Sequence, residues 1–223
     1  EWHPSAQLTS SDPLRKLGAV TNVRAIPAYS SDRLLETASS VKRIDCAAAG
    51  GVVCMAYSDG TVSATDNSYF RFIRASDGAT LLEVTLAGIR PRVVAAGTTF
   101  FFAAVNGNNL RLGKYNPSTD ADFTALSSAS SSSFSAYDMV TDRAGTGFWL
   151  AVNKTTPTTT ITAYDSTGTA GAVITGPAVL YDHIAVRETL TRVHLVTVLA
   201  AGTCELYSYT LAVGGGATGA GYA

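Results

Sequence analysis

Charged side chains are scarce in this chain of 223 residues: they make up 15% of the sequence, whereas roughly a quarter is usual for a globular protein. The formal net charge is -1, and lysine and arginine form no local cluster. A protein that binds a nucleic-acid backbone needs a basic patch to attract the phosphates. The composition therefore argues against nucleic-acid recognition.

Cysteine is equally rare. The three cysteines, Cys46, Cys54 and Cys204, are too few and too widely spaced for a disulfide framework or a zinc site. Cys46 and Cys54 flank a Gly-Gly pair, so they are expected to face each other across a hairpin. A cross-strand bridge and free thiols both stay open, and buried thiols are the more common state in strands.

Long apolar runs are absent too. No run approaches the roughly 18 residues that a membrane-spanning segment needs, so no membrane span is predicted. The first residues, EWHPSAQLTS, contain neither the basic nor the apolar region of a signal peptide. The sequence starts with Glu1 rather than Met, and we therefore expect it to be a processed or excised piece of a longer protein.

What the sequence does contain is a repeat. Residues 92–115 read as strand, glycine turn, strand, Asn-Gly turn and strand. The same order occurs in residues 43–78, 138–168 and 183–211. The ends of the third strands are separated by 41, 49 and 45 residues; they are Arg74, Tyr115, Tyr164 and Tyr209. A fourth, less apolar strand is expected in three of the repeats, at 79–88, near 121–128 and at 171–180.

Four antiparallel strands in each repeat, with the inner strands most apolar, are typical of a β-propeller blade. We predict an all-β fold: a β-propeller of four-stranded antiparallel blades, forming part of a larger propeller. A small closed ring, completed by residues 34–37, is the alternative. The predicted organisation is an N-terminal arm or linker at 1–19, a propeller at 20–211 and a Gly-rich exit linker at 212–223.

Within the propeller, residues 23–37 match residues 70–84 at an offset of 47 residues, which predicts the outer strands of a preceding blade. The expected units are a partial blade at 20–40, blades near 41–88, 89–135 and 136–180, and a partial blade at 181–211. The serine-rich stretch at 127–135 is expected to be a solvated loop between blades.

Motifs that carry chemistry are weak. The stretch GGGATG at 214–219 matches a dinucleotide-binding pattern, but no helix or acidic residue follows it. His3, His183 and His194 have no ligand partners at metal spacing. Asp182 precedes His183, yet no nucleophile motif accompanies the pair. We predict no catalytic, cofactor-binding or metal site, no cofactor, and no enzymatic activity.

The acidic and aromatic residues are predicted to have structural roles, in turns and in packing between blades. The carboxylates are expected to form turns rather than a calcium site; they are Asp59, Asp66, Asp77, Asp120 and Asp122. Neighbours in a strand face opposite sides, so Phe101 should point away from Phe100 and Phe102, into a different inter-blade interface. Phe148 and Trp149 are interpreted in the same way. An exposed aromatic platform for sugars is expected to be limited to Tyr181.

The repeat lacks the Trp-Asp pairs of WD repeats, the regular Gly-Gly of kelch repeats and the sialidase box. Its Ala/Ser/Thr/Gly bias and phrases such as GTTFFFAAVNGNNLRLGKYNPSTD and ITAYDSTGTAG resemble the propeller portion of structural tail proteins of tailed bacteriophages. The resemblance implies a nozzle or tail-tip part of the virion, assembled in the host cytoplasm, without catalytic residues.

Three functional hypotheses follow. The first is a virion tail component, a rigid module that contacts other tail proteins and copies of itself in a ring. The second is a surface or secreted propeller that binds a glycan or protein ligand. The third, a propeller hydrolase, requires carboxylates from several blades to meet at the central axis.

Overall fold

The computed structural model describes residues 43–58, 60, 65–107, 109–130, 134–156 and 158–211. The predicted arm at 1–19, the partial blade at 20–40 and the linker at 212–223 lie outside these residues. Within the described part, the secondary structure consists of short strands joined by turns. No helix there is long and apolar enough to cross a membrane.

The strands form four antiparallel sheets that follow one another along the chain. The first contains β1 (Arg43–Ala49), β2 (Val52–Ser58), β3 (Asn67–Arg74) and β4 (Thr80–Ala87). The second contains β5 (Ile89–Ala96), β6 (Thr99–Asn106), β7 (Asn109–Tyr115) and β8 (Thr124–Ser130). The third contains β9 (Phe134–Thr141), β10 (Gly147–Lys154), β11 (Thr158–Asp165) and β12 (Ala170–Thr175). The fourth contains β13 (His183–Glu188), β14 (Arg192–Val198) and β15 (Cys204–Thr210).

The strands in the middle of the sheets show why these residues form this fold. β6 (TFFFAAVN) and β10 (GFWLAVNK) are apolar almost throughout, because both of their faces are buried. β14 (RVHLVTV) instead alternates buried and more exposed positions, as a strand does when only one face is covered. Among the described residues, the fourth sheet is therefore packed on one side only.

Three hydrophobic clusters connect the successive sheets. Phe100 and Phe102 pack between the first and second sheets, whereas Phe101 packs against Phe148 between the second and third. Trp149 belongs to the cluster between the third and fourth sheets. The predicted alternation of aromatic side chains between interfaces is confirmed. No such cluster joins the first and fourth sheets among the described residues.

The turns follow the expected chemistry. Gly50 and Gly51 join β1 to β2 with φ angles of 56° and 75°, values that disfavour residues with a Cβ. The register pairs Cys46 with Met55 and Ala47 with Cys54, so the two cysteines point to opposite faces of the sheet. Both are free thiols, Cys54 buried and Cys46 exposed, and a bridge between them is excluded by this register.

The serine-rich stretch corrects the sequence prediction. Ser127 to Ser130 belong to β8, and Ser135 belongs to β9, so most of the expected loop is strand. The backbone of β8 pairs with β7 up to the pair Asn109 and Ser130. Ladder hydrogen bonds use main-chain groups, which serine possesses like any other residue, and a serine-rich composition therefore does not end a strand.

Candidate functional site

The first strands of the four sheets lie at the centre of the molecule. β1 packs against β5, β5 against β9, and β9 against β13. Their leading ends surround a pocket of about 160 Å³. It is lined by Arg43, Ile44, Arg90, Pro91, Arg92, Ala136, Tyr137, Asp182, His183 and Ile184. We refer to this cavity as the axial pocket.

A ladder of three charged residues crosses the central strands, and its middle residue, Arg92, lines the pocket. Asp45, Arg92 and Asp138 occupy corresponding positions of β1, β5 and β9. An oxygen of Asp45 accepts the N–H of Val93 at 3.0 Å, and an oxygen of Asp138 accepts the N–H of Val186 at 3.0 Å. The same carboxylate-to-backbone hydrogen bond thus joins the first sheet to the second and the third sheet to the fourth.

Arg92 joins the two carboxylates. Its Nε lies 3.3 Å from an oxygen of Asp138, and its terminal nitrogen lies 4.0 Å from Asp45. Asp138 is buried. Burial raises the pKa of Asp138, although the Val186 N–H and the Arg92 charge act in the opposite direction. The central strands therefore hold a carboxylate that prefers to be protonated more than an exposed aspartate does.

Replacing Asp138 with asparagine should therefore alter the pH dependence of stability. Because the pKa of Asp138 is raised in the folded state, the protonated carboxyl stabilises the wild-type protein at low pH. This stabilisation is lost as the pH rises from about 4 through the folded-state pKa. The difference in unfolding free energy between wild type and Asp138→Asn should move in favour of asparagine as pH increases. Urea denaturation at several pH values between about 3 and 7 measures it.

Asp77 provides the matched control. Its carboxylate is exposed, and the pKa of Asp77 is lowered by hydrogen bonds from the Ala79 N–H and the Arg74 side chain. Asp77→Asn should show the opposite trend, with the wild-type advantage present at neutral pH and lost as pH falls. Parallel trends for the two variants would contradict the assignment of a raised pKa to Asp138.

Arg90 has an unusual backbone. Its φ is 59°, and it is the one non-glycine residue with positive φ in the described part of the chain. This left-handed conformation costs about 1 to 2 kcal/mol for a residue with a Cβ. The hydroxyl of the buried Tyr137 donates to the carbonyls of Arg90 and Ala103, and the Arg90 guanidinium donates to the carbonyl of Ser135. These contacts hold Arg90 at the wall of the axial pocket.

A second surface of interest is the outward face of the fourth sheet. Ala185 pairs with Val196, which pairs with Leu206, so the three side chains form one row across β13, β14 and β15. Val196 is 41% exposed and Leu206 is 52% exposed. Arg187, His194 and Ser208 border the row on one side, and His183, Val198 and Cys204 border it on the other. We call this surface the outward face.

The free edge of β15 adjoins the outward face. β15 pairs with β14, and no strand pairs with its other edge among the described residues. In contrast, β4, β8 and β12 add a fourth strand to the other three sheets. An edge without a neighbour presents main-chain groups that another strand can pair with.

His183 and His194, which the sequence singled out, both lie on the outward face. His183 also lines the axial pocket, whereas the ring of His194 contacts the Thr189 hydroxyl at 3.2 Å. Among the described residues, no group of three or more His, Cys, Asp or Glu is arranged to hold a metal ion. His3, Asp59 and the GGGATG stretch lie outside the described residues.

Several predicted turn carboxylates do form turns. Asp77 accepts the Ala79 N–H at 3.0 Å, Asp120 accepts the Asn116 N–H at 2.8 Å, and Asp122 accepts the Phe123 N–H at 2.7 Å. These bonds to local backbone groups are the ordinary role of aspartate in turns.

Tyr181 corrects a further prediction. It was expected to be the exposed loop aromatic, but its side chain is fully buried in the cluster between the third and fourth sheets. Its N–H donates to Asn153 Oδ1 at 2.9 Å, and its hydroxyl donates to Glu205 at 3.1 Å. A sugar-stacking platform at Tyr181 is therefore ruled out, because no face of its ring is accessible.

Sequence reasoning missed Asp45, Asp138 and Asn153. The two aspartates could have been found by aligning the starts of the first strands, where RIDCA of β1 lies over AYDMV of β9. The role of Asn153 carries no such signal, because its partners lie 6, 26 and 28 residues away along the chain.

No protein-family model and no curated protein match this chain. Solved structures are similar to it in fold. The β-propeller domain of the Trilobed protease from Pyrococcus furiosus aligns with a TM-score of 0.50 and 10% identity over 76% of this chain and 53% of that chain. An exo-β-1,3-galactanase from Clostridium thermocellum aligns with a TM-score of 0.50 and 10% identity over 80% of this chain and 47% of that one.

The chain therefore spans about half the length of these solved structures. Together with the sheet topology, they establish the fold as an all-β propeller of antiparallel sheets. At 10% identity they establish nothing beyond the fold. The resemblance to phage tail proteins stays a prediction that these comparisons do not test.

Proposed function

We propose that this chain is a structural component of a phage tail, in which the propeller is a rigid protein-protein interaction module. It packs against copies of itself in a ring and against other virion proteins, and it catalyses no reaction. The outward face of the fourth sheet is the observation that carries the proposal. The Ala/Ser/Thr/Gly-rich repeat, which resembles tail proteins, supplies the viral context.

The outward face has the anatomy of a protein interface. An apolar row lies in the middle, and the polar side chains of Arg187, His194 and Ser208 border it on one side, as in the core and rim of protein-protein contacts. Elsewhere in the molecule, a sheet face in the same position packs against the next sheet. The outward face thus offers a further sheet the same kind of contact, together with the free edge of β15.

The proposed occupant is the first sheet of a neighbouring copy. On the side of β1 that faces away from the second sheet, Ile44 is 70% exposed, and Cys46 and Ala48 are exposed beside it. A contact between the fourth sheet of one copy and the first sheet of the next is head-to-tail. Repetition of such a contact produces a ring when the rotation closes.

The oligomeric state of the 223-residue protein tests the contact. Sedimentation velocity and native mass spectrometry should show an oligomer, and Leu206→Glu should convert it to a monomer because the charge would be buried in the interface. Leu190→Glu is the control: Leu190 is 72% exposed but lies between β13 and β14, away from the row. It should leave the oligomer intact.

A wild-type protein that stays monomeric at all concentrations would contradict the ring. It would favour the alternative, a surface or secreted propeller that binds a glycan or protein ligand. The viral context has its own test, which is mass spectrometry of purified particles from the native source. A polypeptide carrying this sequence should be present in several copies per tail, and its recovery as a free protein alone would contradict the proposal.

A further inference from the structure

The axial pocket has room for a ligand. Its volume of about 160 Å³ is about ten times the roughly 15 Å³ that one water molecule requires by the same kind of measure. The leading ends of β1, β5, β9 and β13 all contribute to it. A molecule bound there would contact all four sheets at once.

Among the residues that line the pocket, arginines outnumber carboxylates. Three arginines line it, and Asp182 is the one carboxylate among its described lining residues. Arg92 is compensated by Asp138 and Asp45, which lie behind the pocket. Arg90 donates to a neutral carbonyl, that of Ser135. The Arg43 guanidinium forms no hydrogen bond or ion pair with the described residues.

Arg43 and Arg90 also repel each other. Burial of Arg90, followed by the charge of Arg43, lowers the pKa of Arg90, while Tyr137 and Asp182 act against this shift. Two guanidinium groups held at one cavity are stabilised when an anion lies between them. The planar donor arrangement of arginine suits a carboxylate, which it can bind through two parallel hydrogen bonds.

The walls of the pocket strengthen this preference. Pro91, Ala136, Tyr137 and Ile184 are buried residues behind its surface, whereas most of the surface that the pocket exposes is polar. Such a surface suits a charged ligand, because hydrogen bonds to ionised groups are roughly twice as strong as those between neutral groups. The positive φ of Arg90 is a second, independent indication of a ligand site, since strained backbone conformations concentrate at ligand-binding positions.

We propose that the axial pocket binds a small carboxylate, either free or carried by an acidic monosaccharide, through Arg43 and Arg90. Arg90 forms the inner contact from its fixed backbone position, and Arg43 closes the pocket from the start of β1. Arg43 and Arg90 line the pocket within one copy of the chain, so this binding does not require the ring that we propose above.

Isothermal titration calorimetry with sodium glucuronate tests the proposal, with glucose as the uncharged probe and sodium acetate as the free carboxylate, all at one ionic strength. Glucuronate should bind saturably with one site per chain, and glucose should not. Acetate binding with equal affinity would assign recognition to the carboxylate alone, whereas tighter binding of glucuronate would assign it to the acidic sugar.

Arg43→Gln should weaken glucuronate binding about tenfold, because it removes a charged hydrogen bond. Arg43 is exposed, and its side chain lies on the opposite face of β1 from Ile44, so its replacement should leave the circular dichroism spectrum and the oligomeric state unchanged. Arg90→Gln should weaken binding at least as much. Arg111→Gln, at an exposed position of β7, is the control and should bind like the wild type.

Two results would overturn the proposal: glucuronate that gives no saturable heat with the wild-type protein, or glucuronate whose affinity is unchanged in Arg43→Gln. A monomeric protein that binds glucuronate would contradict the ring while supporting the pocket. An oligomer that binds no carboxylate would support the ring and contradict the pocket.

Discussion

Replacing Phe102 with alanine is expected to lower the free energy of unfolding by about 4 kcal/mol, as for other fully buried phenylalanines. The Phe102 ring is fully buried between the first and second sheets. Its centroid lies 4.8 Å from that of Phe70, 5.6 Å from Phe72 and 6.0 Å from Phe123. Alanine would leave a cavity at the centre of this aromatic cluster. Urea denaturation followed by circular dichroism measures the loss.

Gly113 lies against the Phe102 ring, and its replacement tests the same packing contact. It pairs with Phe102 across β6 and β7, and a Cβ on Gly113 would lie 2.5 Å from the nearest ring atom of Phe102. Gly113→Ala should therefore destabilise the wild type by about 1 to 3 kcal/mol through overpacking. In the Phe102→Ala background the same change should cost much less, because the obstructing ring is absent.

The double-mutant cycle distinguishes this contact from a general effect on β7. A coupling of at least about 1 kcal/mol between the two positions is expected, since residues in contact deviate from additivity. Strict additivity would mean that alanine at Gly113 acts through strand propensity rather than through the ring of Phe102. Gly171→Ala is the comparison, because its added Cβ would lie 3.7 Å from its nearest neighbour, which is ordinary contact.

Asn153 carries the second large expected effect. Its side chain is fully buried on β10. Its Nδ2 donates to the Thr159 hydroxyl at 2.8 Å and to the Val179 carbonyl at 2.8 Å, and its Oδ1 accepts the Tyr181 N–H at 2.9 Å. One amide thus fixes the connection between the third and fourth sheets. It has both a donor and an acceptor, so it can satisfy these partners together.

Asn153→Ala should lower the free energy of unfolding by about 3 kcal/mol, because the buried Tyr181 N–H and the buried Thr159 hydroxyl lose their partner, and the Val179 carbonyl loses its donor. Asn109→Ala, at an exposed position at the start of β7, should change it by less than about 0.5 kcal/mol. Both values come from urea denaturation curves. A loss below about 1 kcal/mol for Asn153→Ala would contradict a structural role for this amide.

The repeat and the fold class could be read from the sequence because they depend on local patterns. Alternation along TTFFFAAV assigned Phe101 to one interface and its neighbours to another, since side chains of a strand alternate between faces. Glycines at the predicted turns Asp77-Gly78 and Asn106-Gly107 have φ angles of 71° and 54°. Such signals involve residues that are close along the chain, and they need no knowledge of the tertiary arrangement.

Only the tertiary structure decided which side chains meet across sheets. Tyr181 follows a Pro- and Gly-containing segment and is predicted to lie on the surface. Its N–H instead donates to the buried side chain of Asn153, which holds Tyr181 in the core. Arg43 and Arg90, 47 residues apart, line one pocket because each stands at the leading end of a central strand.

The sequence by itself thus determined the strands, their order and the propeller architecture, because hydrophobic alternation and turn chemistry act over a few residues. The axial pocket, the ladder of Asp45, Arg92 and Asp138, and the exposed row on the fourth sheet were decided by the packing of sheets about a common axis. That packing brings together side chains about 45 residues apart, and the alternation of residues within a single strand does not show which of them meet.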